Sequence, residues 1–249
     1  MEDTRLLMGM PVTVRIVDTG AGLPDLNLVY DYFTYVDNKF SPYKDSSEIS
    51  QINNRRLKIS DASADMQTVL NLCDRTNKAT FGYFEIDRFG HLDPSGLVKG
   101  WAIRNAAGIL TDRGFKNFYI DAGGDIQVHG LNSRGQKWRI GIENPFDRRR
   151  IVKALQVNEE GVATSGTYLR GQHIYNPKKP DQPITEIVSL TVVGPDIYEA
   201  DRFATAAFAM GKDGIRFIGS LPGFAGYMID KDGIGTETSN FPDYDLTKS

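Results

Sequence analysis

Cysteine and histidine are scarce, and that sets the first limits. The 249 residues include one cysteine, Cys73, and three histidines. A single thiol excludes an intrachain disulfide. Cys73 lies in an apolar helical pattern, which makes it a buried small hydrophobe rather than a nucleophile or metal thiolate. His91, His129 and His173 are scattered, which argues against a zinc site. An excess of positive charge is also lacking. With 29 basic and 32 acidic residues the net charge is −3, so no nucleic-acid surface is expected. No apolar run approaches the roughly 20 residues of a membrane span. The start, MEDTRLLMGMPVTVRIVD, opens on acidic residues and has no apolar h-region, so it does not read as a signal peptide. A cytoplasmic protein is expected, although an exported form with its signal removed would read the same. Neither a P-loop nor GxGxxG is present, and there is no GxSxG nucleophile elbow.

What remains is an ordinary globular composition, 40% hydrophobic and 24% charged. The length can bury one sizeable core, and we expect a single domain over residues 1–249. Met10 to Val17 alternates as a strand, with Val12, Val14 and Ile16 on one face. Pro24 and Asp25 open a helix to about Lys39. Ser47 begins a short helix to Asn53, and Ser60 or Asp61 is placed to cap the next, which runs to about Thr80. Ser95 to Arg113 reads as a helix that stops before Gly114. Short strands are expected over 117–121, 125–130, 138–143, 151–157, 162–165 and 187–193. Helices follow over 196–210 and 213–220, then a hairpin over 223–238. Strands and helices do not strictly alternate, so the expected class is α+β with largely antiparallel sheets.

Five segments concentrate polar chemistry. In EADRFATAAFAMG, Asp201 and Thr205 are four apart and share a helix face. A carboxylate and a hydroxyl suit a hard cation such as Mg²⁺, although an Asp near a helix start is commonly a cap. In HLDPSGLVKG, Asp93 precedes a turn that opens a helix, a natural place for a phosphate. Lys99 lies one turn inside and supplies a point charge. In NFYIDAGGDIQVHG, Gly123 and Gly124 permit close backbone approach, with Asp121 and Asp125 flanking them; a tight turn with solvent-facing carboxylates fits equally. VATSGTYLRGQHIYNP ends a strand at Thr164-Ser165-Gly166 and then presents His173, a candidate general base. In FSPYKDSSEISQIN, Tyr43 can stack on a ring or simply cover the core.

Taken in order, these segments resemble the ApbE family of FAD:protein FMN transferases over about residues 8 to 230. Met8-Gly9 before a strand, Ser41-x-Tyr43 with Ser47-Glu48-Ile49-Ser50, and Asp93-x-x-Gly96 with Lys99-Gly100 each match a family landmark. So do Ala122-Gly123-Gly124-Asp125, Thr164-Ser165-Gly166 with His173 and Pro177, and Ala200-Asp201 with Ala204-Thr205. The resemblance implies a T-fold-like α+β architecture with FAD in a cleft and a divalent cation, Mg²⁺ or Mn²⁺, on its pyrophosphate. It implies Asp201 and Thr205 as metal ligands with a backbone carbonyl near Gly96. Met8, Tyr43, Asp93, Lys99 and Ser165 would contact FAD, His173 would lie at the reacting end, and Asp125 would support the site. The implied reaction moves FMN from FAD to a Ser or Thr hydroxyl of an acceptor flavoprotein, with release of AMP. Hydrolysis of FAD to FMN and AMP, or flavin binding without catalysis, would use the same residues. One departure stands out. Between Gly82 and Asp93 the family's longer Phe-Asp-Pro-Thr segment is abbreviated to Tyr83-Phe84-Glu85-Ile86-Asp87.

Overall fold

The computed structural model describes residues 1–166 and 174–246. The chain opens with strand β1 (Glu2–Leu7), which turns through Met8 and Gly9 into β2 (Met10–Ile16). Helices α1 (Leu23–Phe40), α2 (Glu48–Asn53) and α3 (Ala64–Ala79) follow. A two-stranded hairpin of β3 (Asp87–Arg88) and β4 (His91–Leu92) leads into α4 (Ser95–Asp112). Then come β5 (Phe118–Ala122), β6 (Asp125–His129), β7 (Trp138–Asn144), β8 (Asp147–Val157), β9 (Gly161–Gly166) and β10 (Ile187–Gly194). Helices α5 (Ile197–Ala209) and α6 (Gly214–Gly219) precede the closing hairpin of β11 (Ala225–Asp230) and β12 (Gly235–Glu237).

The main sheet runs β1-β2-β5-β6-β9-β10-β11-β12, and its pairings are antiparallel. The class is α+β, as the irregular alternation of elements implies. Period-two patterning gives the sheet two buried faces. Val12, Val14, Ile16, Phe118, Ile120, Leu190 and Val192 point to the helices and pack with Val29, Phe33, Leu97, Trp101 and Phe208. The opposite positions, Ile126, Val128, Val162 and Val193, pack under the β7–β8 hairpin through Trp138, Ile140, Ile142, Leu155 and Val157. That hairpin leaves the sheet after β6, folds over its second face and returns as β9. At roughly 1.5–3 kcal/mol for each fully buried large apolar side chain, these two cores are the main stabilising contribution.

Two local expectations differ from the structure. β1 is a strand although its residues do not read as one; it lies at the sheet edge with a half-exposed pattern. The cap of α3 is Ser63, not Ser60 or Asp61. The Ser63 hydroxyl accepts from the Met66 N–H, while its own N–H and hydroxyl donate to the Glu48 carboxylate of α2 at 2.5 and 2.7 Å. Cys73 is buried in the helix-side core, as the pattern predicts.

Candidate functional site

The site begins where α4 and α5 cross. Gly100 of α4 faces Asp201 of α5 so closely that a Cβ there would lie 2.7 Å from Asp201 Cβ and 2.8 Å from the Ile197 carbonyl. Glycine is therefore required for the two helices to meet. The approach lets the Gly100 N–H donate to Asp201 Oδ2 at 2.8 Å, one turn inside α4. One turn further along α5, the Thr205 hydroxyl donates to the Gly96 carbonyl at 3.2 Å. The spacing of four that puts Asp201 and Thr205 on one face thus aims both at the start of α4.

Asp125 enters from the sheet. It is only 1% exposed, and its Oδ1 accepts the Thr164 N–H at 3.1 Å. Its Oδ2 takes the Lys99 ammonium at 2.5 Å, and the same ammonium stands 3.9 Å from Asp201 Oδ1. The solvent-facing reading of this carboxylate is overturned by that enclosure. Asp201 is 3% exposed. Burial pushes its carboxyl up to about 8; the Asp125 carboxylate adds to that rise, and Lys99 and the Gly100 N–H act against it. Two buried acids thus share one lysine: Asp125 takes the ion pair, and burial keeps a proton on Asp201 at neutral pH in the metal-free protein.

A cleft opens above this cluster. Asp93, Gly96, Lys99, Ser165, Asp201 and Thr205 line it together. Asp93 accepts the Ser95 N–H at 3.0 Å, fixing the turn into α4. Asp125 lies beneath, joined through Lys99. Met8 and Tyr43 do not line the cleft: Met8 sits in the β1–β2 turn with φ of 51°, and Tyr43 is 93% exposed in the loop after α1. His173 lies outside the described residues.

The far wall combines the abbreviated segment with Ile174 and Tyr175 and was not read as a site from sequence. Tyr83, Phe84, Ile86, Arg88, Ile174 and Tyr175 line it. Arg88 stacks its guanidinium 4.9 Å from the Tyr175 ring centroid, and Lys178 lies 4.3 Å from that of Tyr83. The segment is held from α2: Asn53 accepts the Leu92 N–H at 2.8 Å and donates to the Leu92 carbonyl at 2.9 Å. The Ser-Glu-Ile-Ser…Asn stretch therefore braces the cleft through Asn53, while Glu48 caps the start of α3. Among the described residues, no three His, Cys, Asp or Glu side chains gather to hold a metal ion. The available oxygen donors are mixed: one carboxylate, one hydroxyl and one backbone carbonyl.

The ApbE family model matches residues 8–90 and 87–228. The chain belongs to the ApbE family. A protein of Klebsiella pneumoniae (strain 342) named FAD:protein FMN transferase is 32% identical over 163 residues, covering 61% of this chain and 46% of the relative. One of Salmonella typhimurium (strain LT2) with the same name is 30% identical over 179 residues, covering 64% and 51%. The chain thus spans about half the length of these curated ApbE relatives. Among solved structures, the flavin transferase ApbE from Vibrio cholerae superposes with a TM-score of 0.85 at 23% identity, and the ApbE protein from Thermotoga maritima with 0.86 at 19%. Each match covers 98% of both chains, so the fold is the ApbE fold throughout.

Proposed function

We propose that this chain, as one domain over residues 1–249, is an FAD:protein FMN transferase that moves FMN from FAD to a Ser or Thr hydroxyl of an acceptor protein. The observation that carries this reading is the buried Lys99–Asp125–Asp201 cluster at the floor of the cleft, with Thr205 and the Gly96 carbonyl beside it. In an ApbE chain these are the family-motif positions.

The residues present fit a hard divalent cation. Asp201, Thr205 Oγ1 and the Gly96 carbonyl offer oxygen alone, and a bound cation would take the place of the proton that burial otherwise keeps on Asp201. When bound, Mg²⁺ supplies charge neutralisation on pyrophosphate oxygens. The protein's own groups bind and orient. Lys99, in the cleft beside the start of α4, supplies a positive charge for a phosphate. The tyrosine and arginine wall suits the flat rings of a dinucleotide. The acceptor oxygen attacks the FMN-side phosphorus, the bond to the bridging oxygen breaks, and AMP leaves with that oxygen. The hydroxyl proton passes to a base, for which His173 is our assignment. Positioning and electrostatics carry most of the rate in reactions of this kind.

Chromatography of the nucleotides tests the reading. FAD, Mg²⁺ and the protein should release AMP in step with the amount of a flavin-acceptor domain supplied. AMP and free FMN formed without regard to acceptor would assign a hydrolase instead.

A further inference from the structure

A second groove lies on the hairpin side of the main sheet. Its floor is formed by Thr13, Tyr119, Asp121, Ile126 and Val162. Its wall is β7, where five successive residues from Arg139 to Glu143 line it. Side chains alternate across a strand. A wall of successive residues is therefore the strand's edge, with backbone N–H and C=O groups facing the groove. Among the described residues β7 pairs with β8 alone. The other edge of this small sheet is partly covered: the Gln156 N–H of β8 donates to the Tyr244 carbonyl at 2.8 Å, and Leu155 bridges to Asp245. Among the described residues the groove-side edge of β7 pairs with no strand. An open edge of this kind is a template for another chain.

The groove also leads somewhere. Gly123 and Thr164 line both it and the cleft. Thr164 is the residue whose N–H holds Asp125. A segment laid along β7 therefore ends at the corner behind the Lys99–Asp125 pair. Five residues of edge offer roughly 17 Å of strand, enough to fix register by main-chain pairing while sparing one end for the reaction.

We infer that this groove docks the acceptor polypeptide as an extended segment paired to the open edge of β7, which delivers its hydroxyl past Gly123 into the cleft. The inference rests on the transferase reading.

The test uses the full chain, FAD, Mg²⁺ and a flavin-acceptor domain with one modifiable Thr. Thr13→Trp fills the groove floor, on the sheet face away from the helices. It should raise the acceptor KM about tenfold, equivalent to ~1.4 kcal/mol of lost binding. The FAD KM and acceptor-independent FAD cleavage should not change. An unchanged acceptor KM overturns the inference while leaving the transferase reading standing. A wild-type protein that modifies no acceptor overturns both. Should Thr13→Trp fail to fold, benzoylphenylalanine in place of exposed Arg139 replaces it. On irradiation this photo-crosslinker should capture the acceptor within a few residues of its modified Thr. Capture elsewhere, or none during turnover, contradicts the inference.

Discussion

Lys99 Nζ stands 2.5 Å from Asp125 Oδ2, and this pair joins the first helix at the cleft to the buried edge of the AGGD turn. Removing one partner leaves the other charge buried. Lys99→Met should therefore destabilise the protein by about 3–5 kcal/mol. The double variant Lys99→Met/Asp125→Asn should recover much of that stability and none of the activity. Urea denaturation of the four proteins in the cycle measures the coupling. Additive effects would mean that the pair is not enclosed as described.

Asp201 gives a pH dependence of defined sign. Its carboxyl is raised by burial from 3.8 to about 8. Between those values the folded protein holds a proton that the unfolded chain has lost. The stability of the metal-free protein should therefore fall as pH rises from 4 to 8. Asp201→Asn should flatten that fall and remain folded at pH 8. The same variant should lose the rise in Tm that Mg²⁺ gives the wild type. Thermal melts across pH, with and without Mg²⁺, read both effects; a wild-type Tm indifferent to Mg²⁺ would contradict the donor assignment.

Gly100→Ala probes the helix crossing. The added methyl meets Asp201 Cβ at 2.7 Å and backbone oxygen at 2.8 Å, which neither helix can relieve without moving. We expect a net loss of about 1–3 kcal/mol from overpacking, despite alanine's better helix propensity. Because Asp201 moves with α5, Mg²⁺-dependent stabilisation should weaken as well. A stabilised variant with normal turnover would refute the close contact.

Cys73 offers a simpler check. Burial raises its thiol to about 12, so the reactive thiolate is scarce at neutral pH. Native protein should resist a thiol reagent, and unfolded protein should react with one equivalent. Rapid labelling of the native state would contradict the packing of α3.

The elements with strong periodicity were legible from the sequence. α1, α4, α5 and β10 fall within a residue or two of their expected bounds because each carries a continuous apolar face. β1 was not, since it lies at the sheet edge with no fully buried residue and carries no continuous apolar face. The choice of Ser63 as a cap was also beyond local reading. Several Ser and Asp residues precede α3, and Glu48 from α2 decides among them. For the site, the spacing of Asp201 and Thr205 showed a shared helix face, but the burial of Asp125 depends on Lys99 and Asp201, which are remote in sequence. The tyrosine and arginine wall was hidden for a related reason: Arg88 and Tyr175 acquire meaning only when the fold stacks them. The Asp93, Lys99 and Ser165 positions, read from motifs, do meet in one cleft.

The central claim is transfer of FMN to another protein, and the intact mass of an acceptor domain tests it most directly. After incubation with FAD and Mg²⁺, the acceptor should gain the mass of one FMN group joined through a phosphoester. Asp201→Asn should give none of that product, and neither should an acceptor whose Thr is replaced by Val. An acceptor of unchanged mass, beside FAD cleaved to AMP and free FMN, would contradict the account.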